Sequence, residues 1–435
     1  MVRSVPAPLK SRAAALDLLA AVLVRHRLLD EAFDADPAVA ALPDRDRAFV
    51  RLLAAATLRR LGEIDALLAR CLDTPMPAKA GRVRDVLRLG ACQLLVLDTP
   101  PHAAISTSVD LLKHGPLAGY GGLVNAVLRR LDREGRVWAA ELDRARLNSP
   151  PWLWESWVSA YGEATARAIG EAHLHEAPTD LTAAGDPAAW AKPLEAELLP
   201  TGSLRRRGGG DLTGLPGFAE GAWWVQDAAA ALPARLLGEV QGRRVADLCA
   251  APGGKALQLA AAGARVTAVD RSGKRLVRLA DNLARLHLDA EIVEADATAW
   301  RPDQLFDAVL LDAPCSATGT LRRHPDGLWL KRPEDVAKLA DLQARLLTAA
   351  CSLVRPGGVL VYCVCSLQPE EGPAQVERLP PGFCRMPIRP GEVGGLAELL
   401  TPAGDLRTLP CHLAERGGMD AFFAARIQRL PDTVP

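Results

Sequence analysis

Two apolar runs in this chain close on a cysteine, VLLDAPC on Cys315 and GVLVYCVC on Cys365, and a third, VADLC, passes directly into the glycine turn Ala250-Ala251-Pro252-Gly253-Gly254-Lys255. Runs this short and this apolar do not alternate, so they read as strands of a parallel sheet covered on both faces. In such sheets the ligand crevice lies beyond the carboxyl ends of the strands, which is where Cys315, Cys365 and the turn fall. A glycine turn that opens a helix offers backbone N–H groups to a ligand. The sequence RVTAVD ends a further strand at Asp270, 23 residues after Asp247, and AEIVEAD ends another at Asp296. PEDVAKLADLQARLLTAACSLV has helical spacing and leads through Pro356-Gly357-Gly358 into the strand that ends at Cys365.

The turn DLCAAPGGK lacks both the three-glycine dinucleotide spacing and the phosphate-loop signature, so no pyrophosphate cradle is expected. Asp270, at a second strand end, suits the ribose hydroxyls of an adenosine. A free thiol has a pKa of about 8.5, so each thiol needs something nearby to favour its anion. Pro314 and Val364 carry no charge. Loop dipoles, a neighbouring strand end or a cationic ligand must supply the help, and the sulfonium of S-adenosylmethionine is such a cation.

From about Phe218 to Arg426 the chain resembles the RNA cytosine-C5 methyltransferases of the Sun/Nop2 family. The matching stretches are WWVQDAAAALPARLL, DLCAAPGGK, AVDRSGKRL, DAPCSATGTLRRHPD, LADLQARLLTAA, RPGGVLVYCVCSL and GGMDAFFAAR, in that order. The resemblance implies that Cys249, Ala250, Ala251, Pro252, Gly253, Gly254, Lys255, Asp270, Asp296 and Asp312 surround S-adenosylmethionine. It implies that Cys365 is the nucleophile and Cys315 its helper, with Asp312 activating the base. The chemistry explains a pair of thiols: one adds to C6 to make C5 nucleophilic, and a base must later remove the C5 hydrogen. DNA cytosine-C5 enzymes place the nucleophile in a Pro-Cys dipeptide, which Pro314-Cys315 matches, but they have no use for a second thiol at Cys365. Enzymes that methylate exocyclic amines carry an aromatic at this place, and Asp312-Ala313-Pro314-Cys315 has none.

Where family members usually read Ser-Thr before the nucleophile, this chain reads Cys363-Val364; strand alternation puts Cys363 and Cys365 on one face. Cys71, Cys92, Cys351, Cys363, Cys384 and Cys411 read as small buried hydrophobes, and Cys249 as packing. Trp223 and Trp224 fit either base stacking or a core, with the core the commoner use.

Residues 1 to 150 hold 22 Lys+Arg against 17 Asp+Glu, an excess of 5 in a chain of net charge zero. Apolar residues there recur at three and four positions, as in Leu16, Leu19, Leu23 and Val83, Val86, Leu87, Leu94, with breaks at Pro43, Pro75 to Pro77 and Pro100-Pro101. This third is expected to be all helix, starting with an amphipathic helix at the N-terminus. The stretch DVLRLGACQLLVLDTPPHAAISTSVDLLK followed by GLVNAVLRRL resembles the NusB-like RNA-binding domain of the RsmB branch, which implies small-subunit ribosomal RNA as substrate. Arg129 and Arg130 are candidate phosphate contacts. Transfer RNA with the same chemistry, and a non-catalytic RNA-binding factor, are the alternatives.

The expected architecture is multidomain: an all-α NusB-like domain over 1–140, a small α/β connecting domain over 145–217, and a C-terminal α/β Rossmann-like seven-stranded S-adenosylmethionine-dependent domain over 218–435. Relatives carry a Leu-Arg-Val-Asn-like strand where this chain has DLTAAGDP, and Arg205-Arg206-Arg207 is either a substitute contact or an exposed turn. Nine unpaired cysteines suit a reducing, cytoplasmic setting. No run of about 18 apolar residues suggests a membrane span, no Cys/His cluster suggests a metal, and a monomer is expected.

Overall fold

The structure, a computed structural model, describes residues 7–113, 116–208 and 210–432. It divides into two compact units, Met1–His175 with Leu321–Lys331, and Glu176–Thr320 with Arg332–Pro435. These units cut across the three expected segments at two places. The helices Pro151–Tyr161 and Glu163–His173 of the connecting segment lie in the first unit, and so does Leu321–Lys331.

The first unit is helical, as the apolar spacing requires. Leu16, Leu19, Val83, Val86, Leu87 and Leu94 are all buried in one core. The N-terminal helix runs Ala7–Leu23, and residues 1 to 6 of the expected helix lie outside the described residues. The proline breaks fall at helix starts: Pro43 is the N-cap of Asp44–Arg59, and Pro101 is the first residue of Pro101–Asp110, where a missing N–H costs nothing. Gly62 is needed where the helix Leu61–Cys71 meets the Leu147 carbonyl, since a Cβ there would lie 1.8 Å from that oxygen. Leu321–Lys331 is held into this unit by polar and apolar contacts. Asp326 Oδ2 accepts from Leu29 N at 3.0 Å, Trp329 Nε1 donates to the Leu58 carbonyl at 2.8 Å, and Arg59 Nη1 donates to the Arg322 carbonyl at 2.6 Å. Trp329 and Leu330 pack against the helical core. His324 stands 3.3 Å from Asp30, whose carboxyl this hydrogen bond and the Arg51 charge lower to about 2.

The second unit has two sheets. The smaller is antiparallel, β1 (Thr179–Ala183), β2 (Glu197–Leu198), β3 (Leu204–Arg206) and β4 (Trp223–Val225), in the order β2-β3-β1-β4. The larger contains β5 (Arg244–Leu248), β6 (Arg265–Asp270), β7 (Glu291–Glu294), β8 (Phe306–Asp312), β9 (Val354–Val364), β10 (Phe383–Arg385) and β12 (Phe423–Arg429), in the order β10-β12-β9-β8-β5-β6-β7. A short β11 (Leu406–Arg407) pairs with β12 as an eighth strand. β5 to β9 are mutually parallel and β12 runs antiparallel to β9.

Both faces of the central strands are covered, which is why β8 and the second half of β9 are apolar. Ala308, Leu310, Val361 and Cys363 face Leu257, Leu279 and Leu283 on one side. Val309, Leu311, Leu360, Tyr362 and Val364 face Leu346, Leu347 and Ala350 on the other. The Pro356-Gly357-Gly358 sequence, expected as a turn, lies within β9 as an irregularity: Phe306 pairs with Val354, and pairing resumes at Ala308 with Val359. The chain moves outward through β5, β6 and β7, then crosses to β8 on the other side of β5. This reversal opens a crevice at the carboxyl ends of β5 and β8.

Candidate active site

The crevice is lined by the residues that follow β5 and β8. After Leu248 the chain turns through Cys249 (φ 61°) and Gly253 (φ 116°) into the helix Gly254–Ala261. A Cβ at Gly253 would lie 3.1 Å from Leu279 Cγ, so both the left-handed backbone and the close approach require glycine. Asp270, at the end of β6 and 3% exposed, anchors this turn: Oδ2 accepts from Ala251 N at 3.1 Å and Oδ1 from Ser272 N at 2.9 Å. Asp296 is exposed beyond β7 and accepts from Thr298 N and Oγ1, which lowers its carboxyl below the usual value. Asp270 and Asp296 line a cavity of about 100 Å³ with Cys249, Val269, Pro314 and Leu342.

A second cavity, of about 350 Å³, is lined by Ala250, Ala251, Pro252, Gly254, Lys255, Asp247 and Asp312, with Gln226 and Arg285 among its other walls. Lys255 Nζ donates to Asp312 Oδ2 at 2.7 Å and lies 4.9 Å from the Phe422 ring centroid. Burial opposes its charge, but the Asp312 charge and hydrogen bond together with the Cys363 and Asp247 charges outweigh it, and the lysine is held above its ordinary value. Asp247 is fully buried, and neither carboxylate oxygen has a hydrogen-bond partner. Burial first, then the Asp312 charge, push it up to about 8. Cys249 is pushed up to about 12 by burial and by the Asp312, Asp270 and Asp247 carboxylates, which makes it a poor nucleophile.

The two thiols meet. β8 and β9 are neighbours with Asp312 opposite Cys363, so the loops beyond them run side by side. Cys315 Sγ and Cys365 Sγ stand 3.4 Å apart, both part-buried. The hydrogen bond to the Cys365 sulfur, burial, and the Cys365 and Glu371 charges all raise Cys315 well above an ordinary thiol. Cys363 lies on the Asp312 side, its Sγ 3.6 Å from Oδ1, whereas Val364 is buried in the opposite core. A hydroxyl at position 364 would therefore point away from Cys363 and into the core against which Cys315 packs.

Three residues that sequence reasoning left open are placed by packing. Trp223 and Trp224 are 0% and 4% exposed, so both are core. Arg205 is neither a substitute RNA contact nor an exposed turn. It lies in β3 and forms a fully buried two-pronged pair with Asp180 at 2.7 and 2.6 Å. In the first unit, Arg129 bonds Asn125, and Arg130 lies near Glu134 and over the Trp138 ring. Two acids went unassigned in the sequence. Asp247 was legible only as part of the turn, and Glu371 is one of two adjacent glutamates in QPEEG, of which Glu370 is exposed and Glu371 fully buried.

The residues present fit S-adenosylmethionine. Asp270 and Asp296 stand at a slot whose apolar walls include Val269, Pro314 and Leu342, and the acids Asp247 and Asp312 offer the neighbouring cavity a place for a cationic group. An open, largely parallel sheet with its crevice at a strand reversal, an acid at the second strand end and no phosphate cradle defines a methyltransferase of the S-adenosylmethionine-dependent class.

Comparison with known proteins narrows the class. Residues 234–428 match the family described as 16S rRNA methyltransferase RsmB/F, and residues 9–133 match the NusB family. The chain is 40% identical to ribosomal RNA small subunit methyltransferase B of Xylella fastidiosa strain 9a5c, over 89% of this chain and 94% of that one. It is 37% identical to the protein of the same name from Pseudomonas putida, over 96% and 98%. Among solved structures, one titled PH0851 superposes with a TM-score of 0.73 at 22% identity, covering 98% of this chain and 99% of that one. A methyltransferase homologue from Pyrococcus horikoshii gives 0.53 at 24% identity, over 69% and 98%. The chain belongs to the RsmB/F family of 16S rRNA methyltransferases, and its cofactor is S-adenosylmethionine.

Proposed function

We propose that this protein methylates C5 of a cytosine in small-subunit ribosomal RNA through a covalent Cys365–C6 adduct. The observation that carries this reading is the 3.4 Å approach of two thiols at adjacent strand ends, beside the Asp312–Lys255 pair. Nucleophilic substitution at an amine or a ribose hydroxyl needs no thiol, whereas C5 of cytosine needs one to add and a second group to finish.

S-adenosylmethionine, when bound, supplies the methyl group. Cys365 as thiolate adds to C6, and the C5–C6 double bond becomes a nucleophilic centre at C5. Asp312, held by Lys255 and sharing one proton with N3 of the ring, stabilises the negative charge that builds there and takes the proton back when the ring is restored. Cys315 begins as the neutral member of the thiol pair, because burial, Glu371 and the Cys365 sulfur disfavour its anion. Once Cys365 is a thioether its charge is gone, so Cys315 can give its proton to solvent water and then, as thiolate, take the C5 hydrogen as a proton. The C5–C6 double bond re-forms and the sulfur–C6 bond breaks.

The free cysteines suit a reducing cytoplasm, and the NusB-type unit is assigned to RNA capture. Incubation of wild type, Cys365→Ala and Cys315→Ala with unmodified small-subunit RNA and labelled cofactor, resolved on a denaturing gel, tests the chemistry. A methylated protein–RNA adduct should accumulate in Cys315→Ala and be absent in Cys365→Ala. The opposite pattern would make Cys315 the nucleophile. No product with ribosomal RNA but product with transfer RNA would replace the substrate, and no cofactor binding at all would favour a non-catalytic RNA-binding factor.

A further inference from the structure

Beside the two thiols lies a buried acid that enters the chemistry above only through its charge. Glu371 is 0% exposed, six residues after Cys365. Oε1 accepts from Ser316 N at 2.8 Å and Gln343 Nε2 at 3.2 Å; Oε2 accepts from Ser316 Oγ and Ser366 Oγ, each at 2.5 Å. Four donors fill what a carboxylate can accept. They come from the residue after Cys315, the residue after Cys365, and the helix Pro333–Leu353. Gln343 Nε2 also donates to the Pro314 carbonyl at 2.8 Å, so the residues on both sides of Cys315 are tied to the same point. Thr318 Oγ1 lies 3.2 Å from Ser366 Oγ and accepts from Leu367 N, and Gly319 N donates to the Cys365 carbonyl at 3.0 Å. Tyr362 Oη closes the network from β9 by donating to the Glu371 carbonyl at 2.5 Å.

We propose that Glu371 is a positioning residue whose buried carboxylate clamps the Cys315 loop to the Cys365 loop and so sets the separation of the two thiols. The proposal rests on the assignment of Cys365 and Cys315 as the reacting pair. A buried carboxylate is costly to keep, and four hydrogen bonds offset that cost only while both loops stay in place. The same charge acts on Cys315, which faces Cys365 at the end of β9, the Tyr362 phenol from β9 and Glu371 from the following loop; it is one of the causes that keep Cys315 protonated. Glu371 thus separates the roles of two chemically identical side chains: it fixes where both stand and biases which one carries the proton.

Two readouts test this on the full-length protein. The first needs no RNA: diamide oxidises neighbouring thiols, taking two electrons and two protons as it becomes the hydrazine, and peptide mapping reads the Cys315–Cys365 link. Wild type should link readily, and Glu371→Ala should link at least about tenfold more slowly, since a shift of about 1 Å can cost on the order of a hundredfold in a geometry-dependent step. The second is turnover on small-subunit RNA, where kcat should fall about a hundredfold while the KM for cofactor stays within about twofold. In a Cys365→Ala background, adding Glu371→Gln, which keeps the shape and removes the charge, should move the alkylation of Cys315 to lower pH. Should Glu371→Ala fail to fold, Ser316→Ala combined with Ser366→Ala removes both donors to Oε2 and should give the same slow linking. Linking and kcat within about twofold of wild type in these variants would overturn the clamp. Wild type that links through Glu371 yet makes no 5-methylcytosine would instead overturn the assigned reaction and leave the clamp standing.

Discussion

Replacing Arg205 by Ala should destabilise the second unit severely without touching RNA affinity. The guanidinium and Asp180 are both 0% exposed and joined by two hydrogen bonds; Arg205 Nη1 also donates to the Arg416 and Gly418 carbonyls at 3.1 and 2.6 Å. Its removal leaves Asp180 buried with only Ala228 N, at 3.0 Å, to share its charge, and leaves two carbonyls without their donor. Breaking a buried pair by deleting one partner costs about 3–5 kcal/mol. In a unit of about 250 residues each kcal/mol lowers the melting temperature by about 2–4 °C, so a drop of roughly 6–20 °C is expected. Removing both charges with Asp180→Leu and Arg205→Met should recover most of it, because the pair repays little more than its own desolvation. Thermal denaturation of the three variants beside wild type measures this. A loss below about 1 kcal/mol for Arg205→Ala, or a change in the salt dependence of RNA binding, would refute the buried-pair account and return Arg205 to the RNA surface.

Two further substitutions probe the turn and the helical unit. Gly253→Ala forces an L-residue to φ 116° with its Cβ against Leu279, a strain of about 1–3 kcal/mol, so affinity for S-adenosylhomocysteine should fall about tenfold or more by calorimetry. His173 is 3% exposed, its ring tilted against Trp157 with centroids 5.3 Å apart and both ring nitrogens unpartnered, and burial together with the Arg322 and Arg59 charges pushes it down to about 3. Because its folded pKa lies below the unfolded value near 6.5, folding holds it neutral and stability drains away as pH falls through that window. At pH 4.5 the loss is about 3 kcal/mol, and urea melts of His173→Met should show a flatter acid limb than wild type. Equal acid limbs would show that His173 does not titrate in this range.

The strands and their reactive ends were legible because the physics that hides them is local. A run covered on both faces must be apolar along its whole length, and polar residues are allowed only where the strand stops, so Asp270, Asp312, Cys315 and Cys365 announced themselves. That Cys315 and Cys365 touch depends on β8 and β9 being neighbours with Asp312 opposite Cys363, which no local pattern encodes; family resemblance supplied it. Glu370 and Glu371 show the limit more sharply. They are adjacent and identical, and it is donors 28 and 55 residues away, Gln343 and Ser316, together with the nearby Ser366, that make one of them a buried anchor. Arg205 and Arg207 divide in the same way, since Arg205 faces Asp180 across β3 and β1 while Arg207, past the strand end, is exposed. Leu321–Lys331 reads as a loop of the catalytic region, yet Trp329 and Leu330 are apolar enough to need a core and find one among the helices.

The acids around the crevice make cofactor binding a titration. Asp247, Asp270 and Asp312 share this region with Lys255, and Asp247, pushed up to about 8 by burial and the Asp312 charge, holds its proton at pH 7. A cationic ligand placed beside it favours the carboxylate, so binding at pH 7 must release a proton, whereas at pH 9 the group is already ionised and releases none. Calorimetric titrations of S-adenosylmethionine in buffers of different ionisation enthalpy should therefore show a buffer-dependent heat at pH 7, approaching one proton per site, which fades by pH 9. Asp247→Asn should abolish it and weaken binding most at high pH, where wild type gains a full charge pair and the amide gains nothing. Heats independent of buffer in wild type at pH 7 would mean that Asp247 is already ionised or stands clear of the cationic groups, and the larger cavity would then belong to the RNA.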